Sequence, residues 1–238
     1  MSNNNNYSQL NPELIVATVE QLSRRIEERF PEAGLLEVSR HLCRIARDSR
    51  QRVSESARRS IWIHASIILL LGLLVFGLWM STSELRIQFK PGSVTWLEFI
   101  QAMESGINDV IFVGAGIFFL VSLESRIKRR RILKALHELR SLAHVIDMHQ
   151  LTKDPQRASG SLVTTPSSPS DELSPDQLIR YLDYCSEMLS LVGKLAALYL
   201  QRTDDPVVLS TVDEIENLTT GLSRKIWQKL MIIHAGPK

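Results

Sequence analysis

The sequence predicts an all-α integral membrane protein: a two-helix transmembrane hairpin continuous with a cytoplasmic antiparallel helical bundle. Three observations predict this class. The chain has two long apolar blocks, its Lys and Arg residues are concentrated beside both blocks, and apolar residues recur at helical spacing elsewhere. Hydrophobic residues make up 44% of the chain, which would also suit a soluble helical protein, so their concentration in two blocks decides the class.

The amino-terminal part predicts helices on the cytoplasmic side. Residues 1–10 are polar, lack the pattern of a cleavable signal peptide and are predicted to be disordered. Asn11 followed by Pro12 is typical of a helix start, and residues 11–60 then carry helical patterns up to the first block. The first pattern consists of Leu14, Thr18, Leu22, Ile26 and Phe30.

The first apolar block, residues 61–80, predicts transmembrane helix 1. At about 1.5 Å per residue it reaches roughly 30 Å, the thickness of the hydrocarbon core. Trp62 and Trp79 lie near its two ends, where aromatic rings favour the headgroup level. The block therefore predicts a complete crossing, with His64 near its cytoplasmic end.

The second block, residues 107–123, predicts transmembrane helix 2 and is weaker, because Asp109 stands at one end. His64 and Asp109 should lie at opposite ends of the hairpin, which argues against a proton relay between them. We therefore expect each to serve as an interfacial residue, with a role in a pore as the alternative.

The connection between the blocks, residues 81–106, is predicted to be an extracytoplasmic loop with a short amphipathic helix. Leu85, Ile87 and Phe89 alternate with polar residues in a strand-like pattern. Thr95 and Glu98 form a possible capping box, opening a helix that lies on the membrane surface or continues into the second block.

The distribution of cations predicts the orientation. The loop has only Arg86 and Lys90, and Lys and Arg are retained preferentially on the cytoplasmic side during insertion. We expect a multi-pass protein of the cell inner (plasma) membrane with both termini in the cytoplasm. The flanking cations are Arg40, Arg44, Arg47, Arg50, Arg52, Arg58 and Arg59 before the first block, and Arg126, Lys128, Arg129, Arg130, Arg131 and Lys134 after the second.

The carboxyl-terminal part predicts the rest of the bundle. Residues 124–151 form a cytoplasmic helix with coiled-coil or bundle spacing, 152–174 a disordered Ser/Thr/Pro linker, and 175–235 a helical hairpin. No helix can bury its apolar stripe alone, so an antiparallel bundle is predicted. The stripes are Ile132, Leu136, Leu139, Ala143 and Ile146; Leu178, Leu182, Cys185, Leu189, Val192, Ala196 and Tyr199; and Val208, Val212, Ile215, Leu218, Leu222, Ile226, Leu230 and Ile233.

The residues that could carry chemistry are few. Cys43 and Cys185 are too few for a disulfide framework or a four-cysteine zinc site. His137, His144 and Asp147 share a face of one helix, but no second ligand segment is evident, so polar bundle positions are favoured over a metal site. The sequence contains no phosphate-binding glycine loop or nucleophile motif, and it predicts no enzyme, no metal and no cofactor.

Two groups of residues predict contacts at the membrane. Small residues allow membrane helices to approach closely, and they are Gly72, Gly114, Ala115 and Gly116. Cations beside a span can bind lipid headgroups, and they are Arg58, Arg59, Arg126, Lys128, Arg129, Arg130, Arg131 and Lys134. A net charge of +2 and the absence of aromatic residues among these cations argue against a nucleic-acid partner.

These patterns favour a non-catalytic function. We expect a membrane-anchored helical scaffold, accessory subunit or regulator that acts through protein–protein contacts. The expected partners are membrane lipids, a second copy of the chain in a dimer or higher homo-oligomer, and another protein. The alternative is a subunit of a homo-oligomeric ion channel or transporter, with a path lined by Gly114, Gly116, Ser122 or Asp109.

Overall fold

The computed structural model describes residues 9–88, 96–155 and 173–235. Every regular element in these ranges is a helix, which confirms the predicted all-α class. The elements are α1 (Pro12–Arg29), α2 (Gly34–Gln88), α3 (Trp96–Leu151), α4 (Pro175–Leu198), a 3-10 helix (Tyr199–Arg202) and α5 (Pro206–Ala235).

Three helix starts follow from local capping chemistry, including the one that the sequence predicted at Asn11. The Asn11 side chain accepts hydrogen bonds from the backbone N–H groups of Glu13 and Leu14, and Pro12 occupies the first helical position of α1. Ser174 and Gln177 form a reciprocal capping box before α4. The Asp205 carboxylate accepts from the backbone of the first turn of α5, at 3.0 Å from the Val207 nitrogen.

The chain divides into two compact units, which we call the bundle unit (Met1–Ser54 and Arg131–Lys238) and the apolar unit (Glu55–Arg130). The long helices α2 and α3 each contribute one segment to each unit. The bundle unit is built around α4, which buries residues on most of its circumference. The predicted stripes meet in this core; fully buried members include Leu42, Leu136, Leu139, Ile146, Cys185, Leu189, Val192 and Ile215. The apolar stripes therefore pack within one chain.

Contacts between helices give their directions in the bundle unit. Arg47 pairs with Glu20 and Arg40 with Glu27, so α2 runs antiparallel to α1. Phe30 lies edge-on to Tyr181, with ring centroids 5.5 Å apart, at the end of α1 where α4 begins. Helices α2 and α4 run in one direction and α1, α3 and α5 in the other, which agrees with the predicted antiparallel bundle. Exposed ion pairs of this kind are worth about 0 to 1 kcal/mol each, so burial in the core carries the stability.

Buried hydroxyl groups in the bundle unit find partners in neighbouring helices. The Ser23 and Ser39 hydroxyls lie 3.0 Å apart between α1 and α2, and the Ser39 hydroxyl donates to the Leu36 carbonyl. The hydroxyls of Ser49 and Tyr199 lie 2.9 Å apart. A buried hydroxyl without a partner costs about 1 to 3 kcal/mol, so these hydrogen bonds favour the observed packing of the helices that carry them.

The structure decides between alternatives that the sequence left open for two segments. Leu85 and Ile87 belong to α2, so this part of the strand-like pattern is helical, while Phe89 lies outside the described residues. Of the two alternatives predicted for the helix after Thr95, the structure has the continuous one, because α3 begins at Trp96 and continues through the second apolar block.

Some predicted segments fall largely outside the described residues, namely the disordered residues 1–10 and the linker 152–174. At their edges, Leu10 and Leu173 are partly buried against the core.

Within the described residues, one helix is long and apolar enough to cross a membrane. It is Met103–Leu151, whose most apolar window has a mean hydropathy of 1.9 and contains no buried residue, unlike the core helix of a soluble protein. Ile68–Gly77 is a shorter apolar helix segment. Large exposed side chains of the apolar unit include Leu69, Leu73, Phe76, Ile111, Phe112, Phe118 and Phe119.

Candidate functional site

The bundle unit has a groove on the outer side of α4, between α1 and α5, with a volume of about 580 Å³. Leu14 of α1 and Trp227 of α5 line it, and their side chains are 60% and 64% exposed. Ile226 and Leu230 continue the apolar wall along α5. The groove therefore presents two apolar walls that the rest of the described residues leave open.

The floor of the groove is polar and comes from α4. Lys194 donates to the Ser190 hydroxyl at 2.6 Å. The Glu187 carboxylate accepts from Arg25 at 2.9 Å, and the Arg25 guanidinium also lies 5.1 Å from the centre of the Tyr184 ring. Lys194 is thus held by a hydroxyl of the floor, and Glu187 by a cation of α1.

The sequence did not predict this groove, because the first turns of α1 bury different residues from the predicted ones. Leu22, Ile26 and Phe30 are buried as predicted, but Leu14 and Thr18 are exposed, and Ile15 and Val19 are buried in their place. The available signal was the apolar pair Leu14–Ile15, which allows two registers. Trp227, next to the buried stripe residue Ile226, was a second signal.

A polar junction closes the carboxyl end of α3. The Lys229 ammonium of α5 donates to the backbone carbonyls of Gln150 at 2.6 Å and Lys153 at 3.0 Å. Burial lowers the pKa of Lys229, and Asp154 and Asp147 partly offset this. Burial and the charge of Lys153 lower the pKa of His149, whose Nδ1 lies 3.5 Å from the Tyr181 hydroxyl.

The histidines weighed as metal ligands are placed as follows. His137 and His144 are exposed on α3, and Asp147 accepts a hydrogen bond from the Gln150 side chain. His149 faces Tyr181 and Gly34 instead. In residues 9–88, 96–155 and 173–235, no group of three or more His, Cys, Asp or Glu side chains is arranged to hold a metal ion.

Both cysteines are buried free thiols. Burial raises the pKa of the Cys185 thiol to about 12, with a small opposing effect from Lys229 and Lys153. Burial also raises the pKa of Cys43, whose thiol donates to the Val19 carbonyl at 3.6 Å. Because the thiolate is the reactive form, both positions are poor nucleophiles at neutral pH.

The small residues of the apolar unit divide into two sets. Gly116 of α3 lies against Leu70 of α2, since a Cβ atom built at Gly116 would be 3.3 Å from the Leu70 Cδ2 atom. A Cβ atom at Gly72 or Gly114 would meet nothing within 4 Å, and Ala115 is exposed. Gly116 therefore faces α2, whereas Gly72 and Gly114 face open space as far as the described residues extend.

The remaining predicted site residues lie along the two long helices. Arg58, Arg59 and His64 belong to α2 and Asp109 to α3, but their side chains are outside the described part of the structure. The predicted lipid-binding cations of α3 are all exposed; they are Arg126, Lys128, Arg129, Arg130, Arg131 and Lys134.

Comparison with known proteins assigns no relationship: no protein-family model, no curated protein and no solved structure matches this chain.

Proposed function

We propose that the protein is a non-catalytic, membrane-anchored helical scaffold, accessory subunit or regulator that acts through protein–protein contacts. One observation carries the proposal. Helices α2 and α3 each begin or end in the bundle core and also run through a segment whose large apolar side chains are exposed. Such segments are stable in lipid, so the bundle is held at the membrane by two of its own helices.

The connectivity of the chain supports two crossings. Helix α3 contains the segment that is long enough to span, and its carboxyl end packs in the bundle unit together with the beginning of α2. Only residues 89–95 separate the end of α2 from the start of α3, and seven residues reach at most about 25 Å. A crossing by α3 therefore favours a crossing by α2 as well. The exposed apolar segment Ile68–Gly77 of α2 suits this role.

The cations support the orientation. Along the chain they precede the first apolar segment and follow the second, and the positive-inside rule assigns such flanks to the cytoplasm. Both termini belong to the bundle unit and would be cytoplasmic, in a cell inner (plasma) membrane. The connection around residues 89–95 would then lie outside.

The protein contacts are proposed at two surfaces. The groove beside Leu14 and Trp227 suits an amphipathic helix of a partner protein, because its walls are apolar and its floor is polar. The open glycine faces at Gly72 and Gly114 suit a second copy of the chain, since small residues allow close helix approach in lipid. A dimer is the simplest symmetric assembly.

Membrane fractionation with topology reporters tests the anchor. We expect the full chain to stay in the membrane pellet after alkaline carbonate extraction. A reporter fused after residue 238 should be active only in the cytoplasm. A reporter inserted after residue 92 should be active only outside the cytoplasm.

Results opposite to these would test the membrane anchor and the topology separately. Release by carbonate would refute the membrane anchor. A carbonate-resistant chain whose carboxyl-terminal reporter is active outside would refute the two-crossing topology with cytoplasmic termini, while leaving the anchor in place.

A further inference from the structure

The cations that follow the apolar segment of α3 form a distinct surface. Residues 125–137 contain Arg126, Lys128, Arg129, Arg130, Arg131 and Lys134 and no Asp or Glu. All six side chains are exposed. We call these six residues the basic collar, because they surround the helix instead of lying along one side.

Helical geometry gives the shape of the collar. With 3.6 residues per turn, Lys128 and Arg129 lie about 200° and 300° around the axis from Arg126, and Arg131 lies about 140° from it. Arg126, Arg130 and Lys134 recur every four residues and share one side. A helix that binds one protein partner or a nucleic-acid groove needs cations on one side. A helix that emerges from a bilayer has headgroups on most sides.

The position of the collar along α3 matches the headgroup layer. The last residue of the predicted span is Leu123, and Arg126, Lys128 and Arg129 follow it by about 4.5, 7.5 and 9 Å along the axis. The interfacial layer on each side of the hydrocarbon is roughly 5 to 7 Å thick, so Arg126 lies within it and Lys128 and Arg129 lie just beyond its outer edge. Arg130 and Arg131 lie a few ångströms further, within one Debye length of about 8 Å.

From this geometry we propose that the basic collar binds the phosphate groups of anionic phospholipids and concentrates these lipids around the protein. The inference rests on the proposed membrane anchor. It goes further by assigning a class of lipid, because a zwitterionic headgroup offers no net charge to complement six cations. Exposed apolar side chains next to the collar, such as Leu123 and Ile127, would contact the acyl chains of the same lipids.

Lipid selectivity can be measured on the full chain in vesicles with equal amounts of phosphatidylcholine and phosphatidylglycerol. Trace spin-labelled forms of each lipid report which one is immobilised at the protein surface. We expect enrichment of phosphatidylglycerol over phosphatidylcholine by about threefold or more, because each cation near an anionic leaflet favours binding severalfold. Raising the salt from about 0.1 M to about 1 M shortens the Debye length from about 10 Å to about 3 Å. This should remove most of the enrichment of phosphatidylglycerol.

The matched variants locate the effect. The triple variant Arg126→Gln, Arg129→Gln and Arg130→Gln should lose most of the enrichment. The triple variant Arg24→Gln, Arg224→Gln and Lys225→Gln removes three exposed cations of the bundle unit and should keep it. An effect of equal size in both triple variants would overturn the assignment to the collar.

The outcomes also separate this inference from the proposed function. Protein that is extracted from the vesicles by alkaline carbonate would refute the membrane anchor itself. Protein that stays inserted but shows no preference for phosphatidylglycerol at low salt would overturn the lipid inference alone. The salt titration of the wild-type chain keeps the test decisive even if the collar variant fails to fold.

Discussion

The Lys229 ammonium donates to the backbone carbonyl of Gln150 at 2.6 Å, and this bond joins α5 to the end of α3. The last carbonyls of a helix have no partner within the helix and carry partial negative charge. A second bond, to the Lys153 carbonyl, continues the same contact beyond the helix end. A residue 79 positions later in the chain thus caps α3.

Removal of this cap should weaken the bundle unit. We expect Lys229→Met to lower the free energy of unfolding by about 1 to 3 kcal/mol, because Met retains the apolar stem but removes a charged donor from the Gln150 and Lys153 carbonyls. The Gln150 carbonyl keeps its bond from the backbone N–H of Lys153. Urea titration of the full chain in detergent, followed by circular dichroism, measures the change. The exposed neighbour Lys225→Met is the control and should stay within about 0.5 kcal/mol of the wild type. Equal losses in both variants would contradict the cap.

Acidification should destabilise the bundle unit through His149. Its pKa in the folded state is lowered by burial and by Lys153, so the unfolded chain, with a pKa near 6.5, takes up the proton first. The stability associated with this residue is complete above about pH 6.5 and is lost as the pH falls toward the lower folded pKa. Melting temperatures measured between pH 7.5 and pH 5.5 should fall less in His149→Gln than in the wild type. The melting temperature of the control variant His137→Gln, at an exposed position, should fall as much as that of the wild type. An equal fall in all three proteins would refute the assignment of the acid sensitivity to His149.

Neither native cysteine should react with thiol reagents while the protein is folded. Cys43 and Cys185 are buried, and the pKa of Cys185 is raised to about 12. At pH 8 we therefore expect negligible labelling by a maleimide in the absence of denaturant and labelling of both thiols after unfolding. Ser190→Cys, on the exposed floor of the groove, is the positive control and should react at once. Rapid labelling of the wild type would show that the core opens readily.

The two glycine sets should behave differently in self-association. Gly72→Leu combined with Gly114→Leu fills the open faces and should reduce crosslinked dimer severalfold, because bulky residues keep membrane helices apart. Gly116→Leu instead meets Leu70 within the hairpin, so it should lower thermal stability while sparing the dimer contact. Crosslinking in detergent at several protein concentrations measures the first effect. A wild-type chain that remains monomeric throughout would refute self-association.

Charge placed on the groove walls should abolish partner binding without unfolding the bundle. Leu14→Glu and Trp227→Glu alter side chains that are 60% and 64% exposed, so melting temperatures should change little. Copurification from native membranes, quantified by mass spectrometry, should show the same protein lost with both variants. The control variant Leu209→Glu, which changes an exposed apolar position of α5 outside the groove lining, should still copurify with that protein. Loss of that protein in all three variants would contradict a specific groove site.

The sequence alone determined the features that depend on neighbouring residues. Asn11, Ser174 and Asp205 begin helices because their side chains accept hydrogen bonds from backbone groups two or three positions later. The stripes of α3, α4 and α5 were predicted correctly because burial follows the helical period. The apolar blocks were evident for the same reason, since length and composition are local properties.

Tertiary structure alone decided what depends on distant partners. The adjacent apolar residues Leu14 and Ile15 allow two registers for α1, and packing against α4 selects the one that leaves Leu14 on the groove wall. Leu85 and Ile87 alternate like a strand but are helical, because the pattern was too short to outweigh continuation of α2. No pattern of neighbouring residues predicts the hydrogen bond from Lys229 to Gln150. It forms because the packing of the core brings α3 and α5 together.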